Sequence, residues 1–270
     1  LSVGINAFDL ADIYGRGRCE ELLGLVLKNR PDLREKMWIQ SKCGIRIEEF
    51  TYFDFSKDYI IKSVDGILQR LKIDHLDSLL LHRPDALMES DQVAEAFDLL
   101  YKQGKVRNFG VSNQNPMMME LLKKDVKQPL AVNQLQLSAA FTPGFESGFH
   151  VNMEDSQAAM RDGSIFEYCK LHDVVIQAWS VLQFGYFKGN FVGNEKFQAL
   201  NQVLDRLAFK YGVTPSTIAI SWILRYPAKM QAVVGTTNPK HLREVSQAAN
   251  FSLTRKEWYE IYLAAGNNLP

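Results

Sequence analysis

Ten residues near the start of the chain, Asn6-Ala7-Phe8-Asp9-Leu10-Ala11-Asp12-Ile13-Tyr14-Gly15, set two carboxylates and a phenol in an apolar run. Ile5, Phe8, Leu10, Ala11 and Ile13 read as a short buried strand. Acids that end a buried strand need a reason. One reason is chemical: an Asp on the strand and a Tyr just past it can stand side by side at a barrel mouth, where a Lys from another strand completes a proton-transfer unit. The other is a strand-end Asp that caps the next turn and an aromatic that plugs the core. The stretch by itself leaves both open.

The elements that must position these groups come from an ordinary globular composition: 270 residues, 46% hydrophobic and 23% charged, with 31 basic side chains balancing 31 acidic ones. Such a balance gives neither a basic footprint for nucleic acid nor an acidic tail. A small neutral or anionic ligand in a local pocket fits better. Cys19, Cys43 and Cys169 are scattered and odd in number, against a disulfide scaffold or a zinc ribbon, and a reducing, cytoplasmic compartment is expected. No apolar run approaches a membrane span and no signal-peptide pattern opens the chain.

In order, helical spacing over 19–28 leads to a strand at 37–41 ending in Lys42. A helix capped by Ser56 leads to a strand at 78–81 ending at His82-Arg83-Pro84-Asp85, and a helix from Ser90 leads to one at 106–111 ending in Ser112-Asn113. A short helix from Asn115-Pro116 precedes a strand at 130–137 carrying Asn133 and Gln134. Residues 138–163 read as irregular. Then come a helix at 164–171, a strand at 174–178, and a long Gly- and aromatic-rich loop after Trp179-Ser180-Val181-Leu182. Helices at 197–211 and 215–225, a strand at 232–234, the turn Gly235-Thr236-Thr237-Asn238-Pro239 into a helix, and a terminal helix at 253–265 complete the chain.

Seven apolar strands alternating with helices imply a buried parallel sheet. No GxGxxG follows any strand, as a doubly wound dinucleotide fold would normally show. Polar residues instead close strand after strand, as in a (β/α)8 TIM barrel, whose reactive groups come from the C-terminal ends of many strands. Seven strands rather than eight, and an opening that reads as a helix end and a Gly cap, give the expectation of one barrel domain over 1–270 that lacks its first strand and helix. On that expectation the chain is less stable and binds cofactor less tightly than one extended by those elements. The competing expectation is an eighth strand between Ser138 and Gly163.

The ordered set of FDLADIYG with Cys19-Glu20 behind it, Ser41-Lys42-Cys43-Gly44, LLLHRPD, GKVRNFGVSN, Asn133-Gln134, AWSVL and GTTNP resembles the aldo-keto reductase superfamily, most closely its bacterial YdhF-like oxidoreductase branch. The resemblance spans nearly the whole chain. It implies a catalytic tetrad of Asp9, Tyr14, Lys42 and His82. A free phenol titrates near pH 10, so Tyr14 needs a neighbouring ammonium to be a ready donor. Lys42 would supply it, Asp9 would hold Lys42 charged, and His82 would hydrogen-bond the carbonyl or relay the proton. The resemblance also implies NADPH, with NADH possible, held by Ser112, Asn113 and Gln134 at the nicotinamide carboxamide and Trp179 against the ring. Ser180 and Leu182 match the pyrophosphate segment. Gly235, Thr236 and Thr237 match the adenosine-phosphate site, with Lys240, His241 and Glu244 beyond them.

Many relatives carry Lys where Gly235 stands and Arg where His241 stands, both aimed at the 2′-phosphate; Lys240 and Arg243 are the nearby cations. Val245 stands where Asn is usual. The expected activity is NAD(P)H-dependent reduction of an aldehyde or ketone by a monomer or weak homo-oligomer, without metal, nucleic acid or membrane partners. A cofactor-binding regulatory subunit of a channel or other complex is the alternative. A metal-dependent barrel hydrolase would want paired His ligands, and the five histidines give no HxH.

Overall fold

Strands covered on both faces carry apolar residues without alternation, and that is the pattern of this sheet in a computed structural model, which describes residues 1–49, 51–149, 156 and 163–267. The chain divides into two compact units, one of Leu1 and Ile5–Asn133 and one of Ser2–Gly4 and Gln134–Pro270.

In the first unit β1 (Ala7–Asp9) leads through a 3-10 turn at Tyr14–Gly17 to α1 (Arg18–Asn29) and β2 (Trp38–Cys43). A hairpin of β3 (Ile45–Ile47) and β4 (Thr51–Phe53) follows, then α2 (Lys57–Leu71) and β5 (Leu76–Leu81). The unit goes on through α3 (Ser90–Lys102), β6 (Val106–Ser112) and α4 (Pro116–Lys123) into β7 (Leu130–Gln136). Strands β1, β2, β5 and β6 are parallel neighbours in that order. All six residues of β5 are buried, Asp77 and Ser78 included, as expected for a strand roofed on both sides. The helices bury one stripe each: Ile60, Val64, Ile67, Leu68 and Leu71 on α2, and Val93, Ala96, Phe97 and Leu100 on α3.

The second unit contains α5 (Pro143–Phe149), α6 (Ile165–Leu171), β8 (Val175–Trp179), α7 (Gln198–Tyr211), α8 (Pro215–Leu224), β9 (Met230–Ala232), α9 (Pro239–Ser246) and α10 (Arg255–Ala264). Strands β8 and β9 are parallel. Helix α8 is apolar nearly all round and fully buried from Thr217 to Ile223, and its Trp222 stacks on Trp258 at 4.9 Å between ring centroids. A complete capping box starts α10: Thr254 accepts from the Glu257 amide, and Glu257 accepts from the Thr254 amide.

Alternating parallel strands and helices are what the sequence implies, and the seven long-sheet strands fall where the apolar runs do. Three local details differ. The β3–β4 hairpin follows directly on β2, where Gly44 at φ 109 turns the chain, and three-residue strands carry too little pattern to be read. Strand β9 lies at Met230–Ala232, two residues before the run read at 232–234, while α9 starts at Pro239 as read, where the Asn238 side chain accepts from the Lys240 amide. Ser56 precedes α2 without a side-chain cap bond, its hydroxyl going to Asp54. Within 138–163, Ser138 and Phe141 form a bridge and α5 follows; 150–155 and 157–162 lie outside the described residues.

Helices α1 and α2 meet at Gly24, where a Cβ would lie 2.2 Å from the carbonyl oxygen of Arg70. That oxygen is backbone and cannot swing aside. Gly24→Ala is therefore expected to lower stability by about 1–3 kcal/mol despite the gain in helix propensity. Urea unfolding with an unchanged or higher midpoint would contradict the close approach.

Candidate active site

Parallel register decides which side chains meet at the end of the first strands. Asp9 of β1 stands opposite Gln40 of β2, and Lys42, two residues on, shares Gln40's face. The Lys42 ammonium consequently reaches back to Asp9, Nζ to Oδ2 2.7 Å, and donates a second bond to the Leu10 carbonyl at 2.8 Å. Its side chain is 0% exposed. Gln40 donates to the other Asp9 oxygen at 2.6 Å, Ser78 donates to Gln40 at 2.9 Å, and Trp38 donates to Ser78 at 3.1 Å. Asp9 is thus clamped at both oxygens.

Tyr14 is set by the turn after β1, where its amide bonds the Ala11 carbonyl and Gly15 and Arg16 take left-handed φ values of 56° and 55°. The Lys42 Nζ lies 4.9 Å from the Tyr14 ring centroid. His82, one residue past β5, meets the same ring edge to face at 5.7 Å between centroids. Its amide bonds the Cys43 carbonyl at 2.9 Å, which ties the histidine to the end of β2. The structure therefore brings Asp9, Tyr14, Lys42 and His82 together.

Burial is the first cause of each charge shift here. It drives the His82 imidazole down to about 3, helped by the charges of Lys42 and Arg83, so His82 is neutral at ordinary pH. Its Nδ1 is buried and has no hydrogen-bond partner among the described residues. Burial also draws the Lys42 ammonium below the usual lysine range, and Asp9 pulls it back. A neutral imidazole, a phenol and a buried, clamped ammonium form a set that can hold a carbonyl oxygen and give it a proton.

Ser112 ends β6, and Asn113, at φ 55, donates to the Ser112 hydroxyl at 2.8 Å. Both lie in the first unit, as does buried Asn133, which donates to the Gln114 carbonyl at 2.8 Å.

The remaining sequence-derived residues lie in the second unit. Gln134 donates to Gln177 at 3.1 Å, and Gln177 to Gln231 at 2.9 Å, a row of amides across β7, β8 and β9. Trp179 closes β8 half-buried, with Tyr186 edge-on at 6.1 Å. Ser180 follows at φ 53, and the Leu182 carbonyl accepts from the Phe191 amide, closing the neck of the aromatic loop. Gly235 faces open space where a side chain would stand. Thr236 accepts from the Asn238 amide at 3.1 Å; Thr237 lies between them. Lys240 is 80% exposed and 3.9 Å from Glu244, while His241 and Arg243 are also exposed on α9.

Sequence reasoning missed Gln40 and Ser78. The signal was present for Gln40: in Trp38-Ile39-Gln40-Ser41-Lys42 the polar Gln40 and Lys42 recur at the strand period. Ser78 carries no such mark.

The chain matches the model of the aldo/keto reductase family over residues 1–264. It is 35% identical over 277 residues to the oxidoreductase YdhF of Escherichia coli (strain K12), covering 100% of this chain and 86% of that protein. It is 33% identical over 273 residues to a 6-dehydroglucose reductase of Agrobacterium fabrum, covering 98% and 84%. Among solved structures, the thermostable aldo-keto reductase Tm1743 superimposes with a TM-score of 0.73 at 25% identity, over 95% of this chain and 81% of that one.

The neutral His82 makes a pH prediction. Unfolded histidine binds a proton near pH 6.5 and folded His82 only near 3, so the unfolded state holds the extra proton between those values. Stability contributed by His82 is present above about pH 6.5 and falls as pH drops towards 3, by up to ~1.4 kcal/mol per unit. The difference in urea midpoint between wild type and His82→Gln should follow that slope; a pH-independent difference would refute a buried neutral imidazole.

Proposed function

Because the chain belongs to the aldo/keto reductase family, we propose that it reduces an aldehyde or ketone to the alcohol, with Tyr14 as the proton donor and reduced nicotinamide as cofactor. One observation carries this reading: the Lys42 ammonium, wholly buried and held 2.7 Å from Asp9, stands 4.9 Å from the Tyr14 ring beside a neutral His82. A buried, positively charged neighbour favours the phenolate, so the phenol gives up its proton more readily than in water.

NADPH, when bound, supplies the hydride that reaches the carbonyl carbon. The chain's part is to orient and protonate. The carbonyl oxygen accepts from Tyr14 and from the N–H of the neutral His82 imidazole, Tyr14 transfers its proton as negative charge grows on that oxygen, and Lys42 holds the phenolate left behind. Asp9, fixed by Gln40, keeps Lys42 charged and in place. In the first unit Ser112 and Asn113 offer hydroxyl and amide groups that suit a carboxamide; in the second unit Gln134 offers an amide and Trp179 an aromatic face. Ser180 and Leu182 would meet the pyrophosphate. Open space at Gly235, with Thr236, Thr237, Lys240, His241 and Glu244 following, suits an adenosine phosphate.

Two measurements test this. Tyr14→Phe keeps the ring and removes only the donor, so single-turnover oxidation of bound NADPH by a reactive aldehyde should fall by ~10² to 10⁴-fold with cofactor affinity nearly unchanged. A rate within a few-fold of wild type would refute the assignment. A wild-type protein that binds NADPH yet leaves the aldehyde untouched would instead be a cofactor-sensing subunit. The second concerns cofactor choice. With Gly235 and His241 in place of two cations, and each charge-assisted bond to phosphate worth roughly 1.5–3 kcal/mol, NADPH should be preferred over NADH only modestly. Titration by Trp179 fluorescence decides it, and tighter NADH binding would reverse the preference.

A further inference from the structure

The opening stretch has two aspartates, and the tetrad uses only one. Asp12 lies between Ala11 and the turn that presents Tyr14, and its amide donates to the Lys42 carbonyl at 3.0 Å. Asp12 is thereby bonded to the backbone of the lysine that holds the phenolate. One oxygen of its carboxyl, Oδ1, is buried and has no hydrogen-bond partner among the described residues.

The groups around it come from three elements. From α1, Glu20 is fully buried; it accepts from Ser41 at 2.6 Å and from Arg70 of α2 at 2.7 Å. From α2, Tyr59 feels the Asp12 charge, as do Lys42 and Cys43 of β2. Ser41 and Lys42 are adjacent on β2 and so serve opposite faces. One face carries the Lys42–Asp9 pair and the other the Arg70–Glu20 pair. These two pairs cancel. A charge on Asp12 is therefore added to two pairs that are already balanced.

We propose, on the reading that Tyr14 is the proton donor, that Asp12 is a positioning residue that sets the donor's strength: as the neutral acid it leaves the Lys42 field at Tyr14 undiminished, and on ionising it weakens that field. Burial first, and then the Glu20 charge, push the Asp12 carboxyl up to about 7, while the Arg70 charge pulls it lower. The change of state thus falls at neutral pH. The sign follows directly. Below about 7 Asp12 is neutral and the phenol is the stronger acid. Above it, the added negative charge disfavours phenolate, and proton donation slows.

The single-turnover rate of hydride transfer to an aldehyde, measured against pH, should show a several-fold downward step centred near neutrality in addition to the alkaline limb of Tyr14. Asp12→Asn should abolish that step and leave one plateau. Glu20→Gln, which removes the charge that raises the Asp12 carboxyl, should move the step to lower pH, and it serves where Asp12→Asn does not fold. Infrared difference spectra between wild type and Asp12→Asn should show a protonated carboxyl band that disappears over the same range. A step that survives in Asp12→Asn, a step unmoved in Glu20→Gln, or a carboxyl band absent throughout overturns the inference. A merely structural Asp12 would alter the melting temperature or the rate uniformly with pH, and that outcome overturns it as well. Tyr14→Phe separates the two layers: if it still turns over, the donor assignment falls and this inference with it; if it is inactive and the step persists without Asp12, only the role of Asp12 falls.

Discussion

A lysine ammonium taken out of water costs several kcal/mol unless opposite charge and hydrogen bonds meet it, and Lys42 is taken out of water completely. Asp9 and the Leu10 carbonyl meet it. Everything else at this end of the first unit answers that constraint. Asp9 must not rotate away, so Gln40 holds its second oxygen and Ser78 holds Gln40; Tyr14 gains an adjacent cation; His82 stays neutral because it is buried and because a second cation beside the first would be opposed. Removing either member of the ion pair would leave the other buried and uncompensated, which is far costlier than losing a surface pair.

Strand β2 is the element through which this constraint is distributed. Its residues alternate between the face that carries Gln40 and Lys42 and the face on which Ser41 meets Glu20. A one-residue slip would exchange the faces, burying Lys42 against α1 and α2, where Arg70 already stands. The register Asp9 to Gln40 and Gln40 to Ser78 is thus fixed from both sides, by charge as much as by apolar burial. The close approach of α1 to α2 at Gly24 belongs to the same arrangement, since it brings Glu20 and Arg70 within 2.7 Å.

The second unit is organised by different forces. Amides stand in a row on Gln134, Gln177 and Gln231, and stacked aromatics around Trp222, Trp258 and Tyr262 pack beside buried aliphatic side chains. The groups suited to a phosphate there are exposed and held by turns, with Asn238 fixing where α9 starts. Exposed, weakly paired cations such as Lys240 suit a ligand that brings its own charge.

The amino-acid sequence by itself determined the alternation of strands and helices, because buried parallel strands must be apolar throughout and helices must carry a 3.6-residue stripe. It also determined the polar residues that end the strands, since a carboxylate, a phenol or an ammonium in an apolar run stands out: Asp9, Tyr14, Lys42 and His82 were all legible in that way. Family resemblance, rather than spacing, gave them roles. What only the tertiary structure decided is the support beneath them. Gln40 meets Asp9, and Ser78 meets Gln40, through a register between separate strands, and the pairing of Ser41, Glu20 and Arg70 behind Lys42 joins residues up to fifty positions apart. Local pattern carries no record of such partners, because they are fixed by which faces come together after the chain has folded. The same holds for His82, whose neutrality follows from burial beside a cation and not from anything in its neighbours along the chain.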